Sequence, residues 1–148
     1  MNDQYFMNLA IAEAKKAAAI GEIPIGAVIV LDGQVVASGY NLRETAKDAT
    51  AHAEIVAIQA ACKKLQRWRL TGATLYVTVE PCPMCAGAIV MSRLDRLVYG
   101  AVDSRAGACE SLFNIVNNKN LNHQVAVTAG VCEEACAKLL KEFLKKKR

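Results

Sequence analysis

With 148 residues, 53% apolar and 22% charged, the chain has the composition of a single globular domain and not of a disordered segment. A chain of this size buries about 68–70% of its unfolded surface, so its six cysteines are not needed as a disulfide scaffold. No apolar run reaches the roughly 18 residues of a membrane span, and no secretory leader pattern opens the sequence, so a soluble, cytoplasmic protein is expected.

In chain order, Asp3 can cap a first helix running to about Ile20, which Gly21 ends. Gly26–Leu31 and Gln34–Tyr40 flank Asp32-Gly33, a strong hairpin signal. From Thr50 to about Gln66 the residues Ile55, Val56, Ile58, Ala61, Cys62 and Leu65 recur at helical spacing, with Asp48 or Thr50 as cap. Thr74–Val79 is β-branched and aromatic and reads as a buried strand. Pro83 suits the first position of a helix continuing to about Arg93. Arg96–Ala101 is the next strand, reached by a right-handed crossover and so parallel to its predecessor. A polar segment holding Asn117-Asn118-Lys119-Asn120 leads to a strand near Gln124–Thr128, and a helix from about Glu133 closes the chain. The expectation is an α/β domain over residues 1–148, a mixed sheet of about five strands covered by helices on both faces.

One histidine and two cysteines stand out. His52, Cys82 and Cys85 can fill three of zinc's four tetrahedral positions, leaving one open, while Glu54 remains as a spare carboxylate. The inventory suits activation of water, with Glu54 as general acid and base. A helix of about 14 residues and a returning strand of about 6 both span roughly 20 Å, which brings Cys82 back to His52. Both ligand segments then sit at helix N-termini, where the dipole favours thiolate. Cys62 reads as packing, Cys109 has no assignment, and Cys132 and Cys136 share an apolar helix face that favours core over metal. Asn41 is a turn residue, or an amide able to read a base edge.

His52-Ala53-Glu54 followed by Pro81-Cys82-Pro83-Met84-Cys85 resembles the signature of the zinc-dependent nucleobase deaminases. Pro24-Ile-Gly-Ala-Val28, Leu75 to Ala88, Tyr99-Gly-Ala-Val-Asp103 and Leu121-Asn-His123 extend the likeness over nearly the whole chain, and it is similar to the bacterial tRNA-specific adenosine deaminases. The resemblance implies a cytidine-deaminase-like three-layer α/β/α sandwich, one zinc ion per subunit, and a homodimer. It implies hydrolysis of adenosine to inosine at the wobble position of a tRNA anticodon stem-loop. Family-like roles fall on Asn41 and Asp103 as contacts to the flipped nucleotide, with Ile25 and Val28 walling its pocket. His123 matches the family pattern too, although a loop histidine bonding backbone explains it equally well.

Charge placement bears on the RNA. The last eleven residues carry six basic side chains and one acidic, so all of the net charge of +4 resides in the tail. Either the tail is a solvated helix face, or it grips phosphate, with Phe143, Lys145 and Arg148 as the candidate RNA contacts. Three rivals stay open: a deaminase of a free base or nucleoside (guanine, cytosine or cytidine), a thiol–disulfide oxidoreductase, and a structural zinc module.

Overall fold

A computed structural model describes residues 1–146; Lys147 and Arg148, and with Arg148 one candidate RNA contact, lie outside the described residues. The elements run α1 (Asp3–Ala19), β1 (Gly26–Leu31), β2 (Gln34–Tyr40), α2 (Ala53–Leu65), β3 (Thr74–Val79), α3 (Pro83–Met91), β4 (Arg96–Ala101), β5 (Ala126–Thr128) and α4 (Glu133–Lys146). The strands form one sheet in the order β2-β1-β3-β4-β5. β1 is antiparallel to both β2 and β3, while β3, β4 and β5 are parallel. The sheet is therefore mixed, as the sequence predicts.

Alternation along the strands divides the core in two. Ala27, Ile29, Leu75, Val77, Leu97 and Tyr99 face α2 and α3, and Val28, Val30, Tyr76 and Val98 face α1 and α4. The result is three layers, helices over each face. Among the described residues no helix is long and apolar enough to cross a membrane.

Two glycines set the depth of the helices. A Cβ on Gly26 would lie 2.2 Å from the Ala10 carbonyl of α1, and one on Gly39 would lie 2.7 Å from the Ala53 carbonyl of α2. The hairpin turn is as expected, since Asp32 and Gly33 have φ of 51° and 76°, both in the left-handed region that a two-residue turn demands.

Three boundaries differ from the sequence reading. Asn2, and not Asp3, caps α1 by accepting from the Tyr5 N–H at 2.9 Å. Asp3 is used elsewhere, in a bidentate pair with Arg96 at 2.6 and 2.8 Å that ties α1 to β4. The second helix begins at Ala53 and not at Thr50, because Asp48 accepts from the Thr50 N–H and hydroxyl within a turn. His52 is its N-cap residue in extended conformation. β5 is only three residues long, since the Val125 N–H just before it goes to the Val116 carbonyl of the preceding loop and not to β4.

The close seat of α2 gives a test. Gly39→Ala should push the start of α2 off the sheet, lowering stability by about 1–3 kcal/mol. It should also weaken metal retention, because Ala53 adjoins His52. Thermal unfolding and metal content of the purified variant check both.

Candidate active site

β2 and β3 point the same way, both antiparallel to β1. The chain therefore leaves both strands at the same sheet edge, and α2 and α3 both start there. Their N-cap residues are His52 and Cys82, with Pro83 at the first position of α3. Cys85 follows one turn later, fully buried.

His52 Nδ1 lies 3.7 Å from Cys82 Sγ and 3.6 Å from Cys85 Sγ. Among the described residues these three form the one group with ligand atoms gathered within 4.8 Å. Zinc–sulfur and zinc–nitrogen bonds of about 2.3 and 2.05 Å at a tetrahedral angle require a sulfur–nitrogen edge of about 3.6 Å. The residues fit the ion. Cys132, Cys136 and Cys109 stand outside this group, and among the described residues no further histidine, cysteine or carboxylate joins it.

The thiols are electrostatically unequal. The hydrogen bond from Cys85, assisted by His52, brings the Cys82 thiol down to about 4. Its bond to Cys82, together with burial, pushes the Cys85 thiol far upward. His52 is raised chiefly by its bond to Cys82. A Cys82 thiol lowered in this way suits cation binding, which requires its ligands deprotonated. Glu54 is 4% exposed, against the Cys85 thiol. Burial raises its carboxyl to about 7, and the Cys82 charge adds to the effect.

Beside His52 lie three adjoining hollows that share Ile23. Asn41 ends β2, buried, with its Oδ1 accepting from the Arg43 N–H at 3.2 Å and its Nδ2 donating to the Ile23 carbonyl at 3.4 Å. A small cavity of about 70 Å³ joins Asn41, Ile23, Ile25, Arg43 and His52. A larger groove of about 580 Å³ runs past Ile25, Asp103, Arg105, Leu140, Lys141 and Leu144. Phe143 lines a third hollow, of about 480 Å³, with Asn41 and Arg43. Asn41 and Ile25 therefore share a cavity with His52, while Asp103 lines the adjoining groove past Ile25 and Phe143 the hollow beyond Asn41 and Arg43. Lys145 is an exposed residue in the last turn of α4.

Val28 does not wall the pocket. It belongs to the buried group with Phe6 and Met7 under α1, because strand alternation points it to the face opposite Ala27. His123 donates from Nε2 to the Leu94 carbonyl at 2.8 Å, the backbone-bonding role.

Two carboxylates escaped the sequence reading. Glu80, 2% exposed, accepts from the N–H groups of Asp103, Cys109, Glu110 and Ser111 and from the Ser111 hydroxyl. Burial alone would raise its pKa, but the Ser111, Asp103 and Glu110 bonds outweigh it and bring it to about 2. Glu22, equally buried, accepts from the Glu44 and Thr45 N–H groups. Each carboxylate fixes one loop beside the cluster. An acid closing an apolar strand directly before Pro81-Cys82 was the available signal.

A sheet of this order, with one imidazole and two thiols on paired helix starts, defines the deaminase class of α/β/α proteins. Within it the chain belongs to the MafB19-like deaminases, whose family model matches residues 1–148. It is 51% identical to the tRNA-specific adenosine deaminase of Bacillus subtilis (strain 168), over 99% of this chain and 91% of that protein. A solved structure from work on A-to-I editing by tRNA:A34 deaminases at the wobble position of transfer RNA is 47% identical, with a TM-score of 0.89 over 92% of this chain and 99% of that one. A guanine deaminase from Nitrosomonas europaea is 25% identical, with a TM-score of 0.83 over 95% of this chain and 83% of that one.

Glu80 should govern acid stability. Its folded pKa lies below the ordinary 4.5, so its stabilisation is complete above that value and is lost as pH falls toward 2. Urea unfolding between pH 5 and pH 2 should show a loss from this group of at most about 3 kcal/mol. Glu80→Gln should be less stable at pH 7 by roughly 1–3 kcal/mol and show a flatter pH dependence.

Proposed function

We propose that the protein hydrolyses adenosine to inosine at wobble position 34 of a tRNA anticodon. The carrying observation is Glu54, a buried carboxylate set against Cys85 in a cluster of three gathered metal-ligating side chains. The relatives at 51% and 47% identity, and what their names state, support the same reading.

His52 Nδ1, Cys82 Sγ and Cys85 Sγ hold the metal, which we assign as zinc. When bound there, zinc supplies Lewis acidity and brings the pKa of a coordinated water to near 7. Glu54 takes a proton from the attacking water and hands it to N1 of the adenine. Glu54 then takes the second proton, from the hydroxyl now on C6, and passes it to N6, so that the C6–N6 bond breaks and ammonia leaves. Water's oxygen stays on C6, and the products are inosine and ammonia. Asn41 offers its amide to the base edge. Ile25 provides an apolar wall, and Asp103 faces the nucleotide from the opposite loop. The groove past Arg105 and Lys141 takes the flanking nucleotides, and Phe143 and Lys145 contact the RNA along α4, with Arg148 the third candidate contact, outside the described residues. An unpaired wobble base costs little to splay out into such a site.

In this reading residues 1–148 act as one catalytic domain in the cytoplasm, and the working form is a homodimer. Met84, Gly87, Ala88 and Met91 form an outward stripe on α3, with Met91 68% exposed. A Cβ on Gly87 would meet nothing within 4 Å. Under a two-fold axis this stripe is self-complementary, each methionine meeting the small residues or the methionine of the other copy.

Glu54→Ala should keep stoichiometric zinc and tRNA affinity while losing about 10²–10⁴-fold in inosine formation; unaltered turnover defeats the assignment. Offering the wild type free guanine, cytidine and adenosine beside tRNA separates the free-base alternative, since faster turnover of any of them contradicts an RNA substrate. Met91→Glu should shift the protein toward monomer in sedimentation velocity without loss of zinc.

A further inference from the structure

At the sheet edge opposite the metal ligands α2 ends, β3 begins and α3 ends. Lys63, Lys64, Arg67, Trp68 and Arg69 lie in or just after the last turn of α2, and Arg93 follows α3. Trp68 is 56% exposed. The guanidinium carbons of Arg69 and Arg93 lie 4.9 and 6.0 Å from its ring centroid, within cation–π range. Arg93 is fixed there by donating to the Val90 carbonyl at 2.9 Å. The loop is held by the Cys62 thiol donating to the Trp68 carbonyl at 3.7 Å.

These five cations are uncompensated. Among the described residues none of them forms an ion pair, although Asp32 and Asp95 are exposed on elements that end at the same edge. From Ile55 to Leu94 the one carboxylate is Glu80, buried at the other end of β3. Unpaired surface cations hold condensable anions cheaply, and an exposed indole among guanidinium groups offers a stacking platform. Phosphate and a flat base satisfy both together, whereas an acidic protein surface satisfies only the first.

We propose that Arg67, Trp68 and Arg69, with Lys64 and Arg93 beside them, form a second RNA-contact surface, separate from the catalytic groove. It rests on the reading that the substrate is tRNA. The six residues of β3 separate this edge from the ligand cluster by about 20 Å. The surface therefore meets parts of the tRNA beyond the anticodon stem-loop, the arginines on phosphodiesters and Trp68 on a base.

The test measures binding of full-length tRNA and of an isolated anticodon stem-loop to the zinc-loaded protein across a series of salt concentrations. Arg67→Glu/Arg69→Glu should weaken full-length tRNA binding about tenfold near 0.1 M salt and reduce the magnitude of the log–log salt slope by about 2. Trp68→Ala should weaken it roughly fivefold or more with the slope nearly unchanged. Inosine formation on the stem-loop should stay at the wild-type rate in both. Unchanged tRNA affinity and slope overturn the proposal. So does a variant that alters only the sedimentation coefficient, which would make the patch a protein contact. Should the wild type make no inosine in tRNA, the catalytic reading fails while the binding arms still judge the patch.

Discussion

The Glu80 carboxylate is the interaction on which the site depends. A buried carboxylate with no cation beside it is costly unless its lone pairs are filled. Here four backbone N–H groups and one hydroxyl from a single loop fill them. The exchange works in both directions, because residues 103–111 contain no helix or strand and need acceptors for those N–H groups. Gly107 is part of the arrangement, since a Cβ there would lie 2.4 Å from the Glu80 carboxylate. Glu80 immediately precedes Pro81-Cys82, so the strand that delivers the thiols also anchors the loop carrying Asp103. Glu22 repeats the device with two N–H groups of the loop between Asn41 and His52. Two irregular loops, one on each side of the cluster, are thus held by carboxylates that a neutral amide could not replace without presenting donors to donors.

The sheet explains why the ligands meet. With β1 antiparallel to both neighbours, β2 and β3 end at one edge, and the helices that follow both begin there. Helix starts have free N–H groups and a positive dipole end, so they tolerate thiolate where helix interiors do not. The N-caps of α2 and α3 make no side-chain capping bond. His52 and Cys82 turn toward one another instead, giving up capping for ligation. The stability this forgoes is supplied by packing, with Gly39 letting α2 sit directly on β2.

Periodicity made the elements and the mixed sheet legible, because alternating strands and a 3.6-residue helical repeat are local signals. The ligand set was legible from chemistry and spacing. What stayed hidden depended on side-chain destinations that no local pattern records. Asp3 reads as a cap, yet Arg96 lies within reach only after β4 packs beside α1, and the adjacent Asn2 takes the capping role. Val28 belongs to a motif that lines the pocket at Ile25, but three positions further the side chain points to the opposite face, into the core under α1. The value of Glu80 is likewise invisible until a loop more than twenty residues later folds over it.

The two ionisations at the cluster fit together. Burial holds Glu54 near 7, where taking a proton and giving it back cost similar free energy, the condition for one group to serve as both base and acid. Cys82 pushes in the same direction, so the thiolate that favours cation binding also keeps the carboxylate from becoming too weak a base. A divalent ion among His52, Cys82 and Cys85 adds opposite charge and favours the ionised carboxylate. Glu54 would then enter the reaction deprotonated, carry the first water proton to N1, and be free to carry the second to the departing ammonia. Burial without a neighbouring cation would strand the carboxyl in its protonated form, and a cation beside an exposed carboxylate would leave it too acidic to hold the proton. The fold supplies both conditions at once by placing Glu54 one residue inside α2, with His52 at its start and the two thiols at the start of α3.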